Sequence, residues 1–272
     1  PELGFSDPLA VLWSLAVAPD GSLALGSDRA ELVLIRPDGR RGRQVLSAAA
    51  RRLLFTRDGS RVVAATRRRG ALVFDGRSGA PLGGLPAGAG EVVRASGAAS
   101  VVTHGRGIEE WDLAPMRPRR FGPGAGITGV TVSAQGLYVV RGDGAVDRFD
   151  RHSGERLARR VVAPRVLKGI AALPDGSLVA VGAMEQAFRL SPDLATTSVL
   201  GPGAARRVVA LGALPVFATW TRGGVRAGVP ESPPLSVGSP WADLGADGEH
   251  RVAAGMDDGG GVWRVDGRLR PE

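Results

Sequence analysis

The chain carries few residues of the types that perform catalysis, and their spacing matches no standard catalytic motif. Its three histidines, His104, His152 and His250, are scattered and would meet only if folding brought them together. A Walker-type phosphate loop, H-E-x-x-H and G-x-S-x-G are all absent. The lack of cysteine excludes disulfides and thiolate metal ligands. We therefore predict no catalytic residue, no cofactor and no metal site from local motifs.

Two further patterns have ligand-binding spacing. Gly124-Ala-Gly126-Ile-Thr-Gly129 matches G-x-G-x-x-G, which binds dinucleotides only where a strand precedes it and a helix follows. The next residues, 130–132, are typical of a strand, which argues against that use. Asp143, Asp257 and Asp258 fall in predicted loops, where paired carboxylates can bind a cation but are more often solvated turns.

Basic residues are numerous: the formal net charge is +8, and Lys168 is the only lysine. Such a charge suits an acidic partner. It also fits a chain with arginine spread over its whole length, which favours solvated surface over a nucleic-acid track. No apolar run approaches the length of a membrane span and no leader peptide opens the sequence, so we expect no membrane contact and a cytoplasmic location. Because the chain begins with Pro1, it could be one domain of a longer protein.

An internal repeat must position whatever site exists. Asp-Gly or a similar pair recurs between apolar runs, which is a hairpin signal because glycine readily adopts the positive φ of a tight turn. The turn glycines are Gly21, Gly59, Gly97, Gly136, Gly176 and Gly248. The steps between them are 38, 38, 39 and 40 residues and then 72, which holds two repeats. The sequence thus predicts seven units.

Each unit reads as four short strands, with apolar first and second strands and a more polar fourth strand. Seven such units predict an all-β, seven-bladed β-propeller with four-stranded antiparallel blades in a single domain, 1–272. We expect residues 1–8 to pair into the last blade and close the ring. The predicted blades are 9–48, 49–87, 88–124, 125–163, 164–202, 203–238 and 239–272 plus 1–8.

The ends of the predicted third strands resemble those of a known family. Trp111-Asp112, Phe74-Asp75 and Phe149-Asp150 stand where the WD40 family has its Trp-Asp dipeptide, and the likeness covers essentially the whole chain. The resemblance implies a propeller used in protein–protein interaction. The chain departs from that family because no Gly-His precedes the first strands, so the family's His-Asp-Ser/Thr-Trp hydrogen-bonded group is incomplete. The blades should therefore depend on packing, and a neighbouring propeller family is also compatible.

The WD40 layout implies that the loops between second and third strands share one face with the loops between blades. Arginines on that face could hold carboxylates or phosphates. The predicted partner-binding residues are Arg29, Arg67, Arg68, Arg69, Arg106, Arg141, Arg222 and Trp241.

Our leading hypothesis is a non-enzymatic scaffold that binds an acidic peptide or protein and that could be fused to an effector or signalling domain. Two alternatives stay open. One is a propeller enzyme of the lactonase or lyase kind with a histidine-based or metal site in the channel. The other is nucleic-acid binding, which the low aromatic content of 5% disfavours.

Overall fold

Every regular element that the computed structural model describes is a β-strand. The described residues are 12–66, 70–86, 91–95, 99–104, 107–123, 125–182, 186–201, 205–219, 225–228, 243–246, 251–255 and 263–266. Within these ranges there is no helix long and apolar enough to cross a membrane. The all-β prediction is therefore confirmed.

Tight turns fold consecutive strands into antiparallel hairpins, as the Asp-Gly repeats predict. Gly21 and Gly176 have φ values of 87° and 84°, a region that residues with a Cβ rarely adopt. The preceding aspartates fix the turns, because Asp20 Oδ1 accepts the Ser22 N–H at 2.8 Å and Asp175 Oδ1 accepts the Ser177 N–H at 2.9 Å. In these two repeats the first and second strands are therefore joined by a locally encoded turn.

The chain divides into two compact units, 1–119 with 243–272, and 120–242. Unit 1 contains three four-stranded sheets and a sheet with three described strands. The strands are β1 (Leu12–Val17), β2 (Leu23–Ser27), β3 (Glu31–Ile35), β4 (Arg41–Val45), β5 (Ala50–Phe55), β6 (Arg61–Thr66), β7 (Gly70–Asp75), β8 (Pro81–Gly84), β9 (Glu91–Ala95), β10 (Ser100–His104), β11 (Gly107–Asp112), β12 (Arg117–Pro123, which crosses the unit boundary), β24 (Asp243–Ala246), β25 (Arg251–Gly255) and β26 (Trp263–Asp266).

Unit 2 contains two four-stranded sheets and a sheet with three described strands, all antiparallel. The strands are β13 (Ile127–Ser133), β14 (Gly136–Arg141), β15 (Ala145–Phe149), β16 (Arg156–Val161), β17 (Leu167–Ala172), β18 (Leu178–Gly182), β19 (Ala187–Leu190), β20 (Thr197–Gly201), β21 (Ala205–Leu211), β22 (Leu214–Thr219) and β23 (Val225–Ala227).

The hydrophobic core lies between neighbouring sheets, because second strands are covered on both faces. All six residues of β14 are buried, whereas all four residues of the outer strand β8 are exposed. Between the first two sheets, Leu32 and Leu34 pack with Leu53, Phe55 and other apolar residues. Sheet-to-sheet packing of this kind, repeated along each unit, supplies most of the stabilisation.

First strands of neighbouring sheets lie side by side. In unit 1, β1 lies next to β5 and next to β24 and β25, so the first and last sheets of the chain are neighbours. The predicted closing strand, residues 1–8, lies outside the described residues, and pairing of this segment into the last sheet stays a prediction. Each described sheet falls within one predicted blade, and the single-domain assignment also stays a prediction.

Candidate functional site

The backbone register of the hairpin formed by β9 and β10 pairs a histidine with a glutamate. His104, the last residue of β10, is the Cα partner of Glu91, the first residue of β9. Residues directly opposite each other in an antiparallel pair have Cβ atoms about 5 Å apart, which is close enough for their side chains to interact. A carboxylate beside an imidazole orients the ring and stabilises its protonated form. This register is therefore suited to acid–base chemistry.

A buried hydrogen bond holds β10 in place directly before His104. Thr103 is fully buried, and its Oγ1 accepts a hydrogen bond from Trp111 Nε1 of β11 at 3.1 Å. Trp111 packs in turn against Val63 and Val73 of the second sheet. The end of the hairpin is therefore fixed by both packing and hydrogen bonding. This bond is the Trp–Ser/Thr part of the group expected of WD40 propellers, so the third sheet does not depend on packing alone.

The other four-stranded sheets of unit 1 also end their second strands on polar residues. Ser27 ends β2 with its side chain buried, and Ser27 Oγ has no hydrogen-bond partner in the described part of the chain. Thr66 ends β6, and its Oγ1 donates to the carbonyl oxygen of Gly70 at 3.0 Å. The second strands β2 and β6 thus end on hydroxyl residues, of which Ser27 is buried and Thr66 is hydrogen-bonded within its own hairpin.

A second polar cluster lies in the first sheet of unit 2. Asp147 of β15 is completely buried and forms an ion pair with Arg141 of β14, which is also buried. Arg159 of β16 reaches the same carboxylate at 3.5 Å and also pairs with Asp143 in the turn before β15. Arg141 Nη1 donates to the Ala125 carbonyl oxygen at 2.6 Å. With two cations and two anions, the cluster is electrically balanced and joins three strands to the preceding loop.

The structure describes two of the eight predicted partner-binding residues. Arg29 is exposed in the turn between β2 and β3. Arg141 is buried, and its guanidinium already bonds Asp147 and Ala125 within the protein. The remaining predicted residues lie outside the described part of the chain: Arg67, Arg68, Arg69, Arg106, Arg222 and Trp241. The structure thus does not test partner binding by this set, which stays a prediction.

Of the other sequence candidates, the structure describes Asp143 and His152, which lie in the turns before and after β15. His152 lies exposed in the turn after β15, where backbone N–H donors of Ser153 and His152 hold the pKa of Asp150 below its usual value. His250, Asp257 and Asp258 lie outside the described residues. Among the residues that are described, no three His, Asp or Glu side chains are grouped as metal ligands would be.

The glycine pattern at 124–129 leads into strand β13, as expected, and not into a helix. It therefore lacks the helix N-terminus that a dinucleotide pyrophosphate requires.

The sequence analysis missed the pairing of Glu91 with His104. No motif joins them, because they are 13 positions apart and belong to different strands. A usable signal was nevertheless present: residues on either side of a hairpin turn at equal distances are partners, and these two flank the predicted turn at Gly97 almost symmetrically. Applying that symmetry to each predicted turn would have identified the pair.

One solved structure shows the fold of the whole chain. No protein-family model matches the sequence, and no curated protein matches it either. The structure is similar to that of virginiamycin B lyase from Staphylococcus aureus, a catalytically inactive histidine-to-alanine variant crystallised with quinupristin. The TM-score is 0.76, the identity is 15%, and the match covers 98% of each chain. The β-propeller prediction is therefore confirmed.

The same comparison corrects our functional expectation. We predicted a non-catalytic scaffold and no enzymatic activity, and both predictions are wrong on this finding, because the solved propeller that matches the chain over nearly its full length is a lyase. The absence of linear catalytic motifs does not exclude an enzyme of this fold. In a propeller, catalytic groups come from different strands and need no shared motif.

Proposed function

We propose that this chain is a propeller enzyme of the lyase type, with His104 as the general base and Glu91 as the residue that orients it. The observation that carries the proposal is the register of the β9–β10 hairpin, which makes His104 the Cα partner of Glu91. The likeness to a lyase whose activity depends on a histidine supports an enzymatic reading.

His104 is favoured over the second histidine that the structure describes. His152 lies in an exposed turn after the third strand, at the opposite end of its sheet from the loops that follow the second strands. Asp150 beside it is engaged by backbone N–H groups at 2.7 and 2.8 Å, so its carboxylate serves the turn. His104 stands at a strand end whose neighbouring residues are buried and hydrogen-bonded.

The proposed reaction is the opening of a cyclic ester by elimination. His104 removes a proton from the carbon next to a carbonyl group, the electron pair forms a carbon–carbon double bond, and the ester C–O bond breaks to release a carboxylate. The proton leaves from His104 to solvent. Glu91 stabilises the imidazolium that forms in the transition state, as carboxylates do in other histidine-based sites. No water is consumed, which distinguishes this reaction from that of a lactonase.

Mass spectrometry tests the proposal. Virginiamycin B and quinupristin are incubated with the purified protein, since the similar lyase is named for the first and was crystallised with the second. Elimination leaves the product with the mass of the substrate and a new double bond, whereas hydrolysis adds one water. We expect product of unchanged mass from the wild type, and at least about a 100-fold lower rate for His104→Ala and for Glu91→Gln.

His152→Ala is the matched control, because it removes an imidazole from an exposed turn that has no part in the proposed chemistry, and its rate should equal that of the wild type. A product heavier by one water would make the protein a lactonase. Equal rates for His104→Ala and the wild type would refute the assignment of the base.

Two narrower assignments remain proposals. Membership of the WD40 family is supported by the Trp111–Thr103 hydrogen bond and by the Asp-Gly turns, but no family model matches the chain. A cytoplasmic location also remains a proposal.

A further inference from the structure

The outer strand of the first sheet of unit 2 leaves part of its backbone unpaired. This strand, β16, is the last in the order β13-β14-β15-β16, and no other described strand pairs with it. Just beyond its end, the Val162 N–H donates to the Gly144 carbonyl oxygen at 3.0 Å. Hydrogen-bonded and non-hydrogen-bonded pairs alternate along an antiparallel ladder, so Val161 and Arg159 are in the non-hydrogen-bonded pairs with β15. Their N–H and C=O groups therefore point away from β15, and no backbone hydrogen bond within the described residues engages them.

Two large apolar side chains of β16 are exposed. Val161 is 66% exposed and Leu157 is 51% exposed. Leu157 is the extra residue of a β-bulge, which releases its side chain from the regular pleat. Two other outer strands contain residues that discourage pairing with a further strand: β8 has Pro81 and two glycines, and β12 has two prolines. β16 contains neither proline nor glycine, so its outer edge is able to pair with a further strand.

Two of the three arginines of β16 have no carboxylate that balances their charge. Arg159 pairs with two aspartates of the same sheet and is therefore not counted. Arg160 Nη1 donates to the carbonyl oxygens of Leu194 and Ala195 at 3.1 and 2.5 Å, which are neutral groups and leave its charge in place. Arg156 is exposed and forms no ion pair within the described residues. The edge therefore keeps two positive charges.

This charge decides which kind of strand suits the edge. Glu155, which precedes β16, supplies one negative charge against the two of Arg156 and Arg160, so the edge stays positive. A second copy of the chain would bring arginine against arginine, and like charges on facing strands are destabilising. An acidic segment is attracted instead.

The alternation of side chains sets the pattern that such a segment must have. Successive residues of a strand point to opposite faces of the sheet, so Val161 and Arg160 meet different faces of an added strand. Residues directly opposite each other interact, so an apolar residue suits the position opposite Val161 and an acidic residue suits the position opposite Arg160. The matching segment therefore alternates apolar and acidic residues.

We propose that β16 binds an extended segment of a partner protein, with apolar and acidic residues in alternation, which joins the sheet as a fifth, antiparallel strand. Main-chain hydrogen bonds to Arg159 and Val161 supply affinity, and the contacts with Val161 and Arg160 supply specificity. None of the partner-binding residues predicted from the sequence lies on β16. The proposal does not depend on the proposed lyase activity of the His104 hairpin.

A synthetic peptide of alternating valine and glutamate tests the proposal on the whole chain. Hydrogen–deuterium exchange at single-residue resolution follows the amides of β16 as the peptide is added. We expect the Arg159 and Val161 amides to exchange at least about tenfold more slowly with the peptide bound, because each gains a hydrogen bond. The Arg160 amide faces β15 and is the internal reference, so its exchange should change little. Unchanged exchange of the Arg159 and Val161 amides at millimolar peptide would overturn the proposal.

Backbone methylation of the peptide separates strand addition from simple charge attraction. In an antiparallel strand, the residue opposite Val161 bonds through its own N–H, whereas the residues on either side of it turn their N–H groups away. N-methylation of the valines should therefore abolish binding, and N-methylation of the glutamates should leave it largely intact. Equal binding of the two methylated peptides would overturn the proposal.

A peptide with glutamine in place of glutamate measures the part played by charge. We expect about fivefold weaker binding for the loss of a unit charge a few ångströms from Arg160 in a water-like dielectric. Equal affinity of the glutamine and glutamate peptides would contradict the choice of an acidic partner.

Two proline variants locate the binding edge. Val161→Pro removes an N–H that points away from the sheet, at an edge where proline is tolerated, and it should abolish peptide binding with little change in thermal unfolding. Val45→Pro is the matched control, because Val45 ends the outer strand β4 and is 82% exposed, but its neighbour is Gln44 and not an arginine. Val45→Pro should keep the wild-type affinity. Equal loss of binding in the two variants, or wild-type binding by Val161→Pro, would overturn the assignment to β16.

Discussion

At the scale of single residues, the turns before β3 and β15 both place a residue in the left-handed backbone conformation, but the residue differs. Ala30, just before β3, has a φ of 58°, and its carbonyl oxygen accepts the Leu46 N–H at 2.7 Å. Gly144, just before β15, has a φ of 79°, and its carbonyl oxygen accepts the Val162 N–H at 3.0 Å. Both turns therefore need the left-handed conformation, but Ala30 adopts it against the steric preference of a Cβ.

We expect Ala30→Gly to raise the free energy of unfolding by about 1 kcal/mol, because it removes this conformational strain. Gly144→Ala should lower the free energy of unfolding by more than that, since its Cβ would lie 1.9 Å from the Ala163 carbonyl oxygen. Urea unfolding of both variants measures the two changes. A loss of stability in Ala30→Gly would contradict the account of this turn.

Aspartates in the turns between third and fourth strands make stability depend on acid pH. Asp75 Oδ1 accepts the Ser78 N–H at 2.6 Å and the Ser78 hydroxyl at 2.8 Å, and these bonds hold the pKa of Asp75 below its usual 3.8. A carboxylate with a lower pKa in the folded state stabilises the protein above pH 3.8. That contribution is lost as the pH falls through the folded-state pKa.

Asp75→Asn removes the titrating group, so it should be less stable than the wild type at pH 7 and closer to it at pH 3. Urea unfolding at the two pH values gives the difference. If the difference in free energy of unfolding between the wild type and Asp75→Asn were the same at both pH values, the charge of Asp75 would not account for the effect of its hydrogen bonds.

At the scale of strands, the sequence predicts the regular features and misses the irregular ones. The predicted apolar second strand of the blade at 49–87 is observed as β6 (Arg61–Thr66), because an apolar run between two turn signals is a local property. A β-bulge recurs at the second residue of the first strand in five described sheets, and it has no local sequence signature. Gly129 also lies against Gly169 of the neighbouring sheet, a contact between repeats that no single repeat encodes.

The buried ion pair of unit 2 joins strands β14 and β15, and removing one of its partners should lower the stability of the protein. Asp147→Asn would leave the Arg141 guanidinium buried without its counter-ion, and it should lower the free energy of unfolding by about 3–5 kcal/mol. Asp143→Asn is the control, since its carboxylate is more than half exposed and its pair with Arg159 should contribute at most about 1 kcal/mol. Thermal or urea unfolding of both variants measures the two losses of stability. Comparable losses in the two variants would contradict the role given to burial.

At the scale of the whole molecule, the repeat period predicts a β-propeller because each sheet packs on its neighbours and must bury both faces. Function was not predictable in the same way. Arg141 illustrates the reason: its sequence position indicates an exposed loop residue, whereas the structure buries it against Asp147. Glu91 and His104 illustrate the converse, because strand pairing joins two residues that no linear motif connects.

The most direct test of the central proposal is chemical rescue of a His104→Gly variant. Glycine leaves space where the imidazole stood, so imidazole added to the solution should take the place of the missing base. We expect His104→Gly to lose elimination activity on virginiamycin B or quinupristin and to regain it in proportion to the added imidazole, with its thermal unfolding unchanged. A His104→Gly protein that opens these substrates as fast as the wild type, without imidazole, would contradict the account.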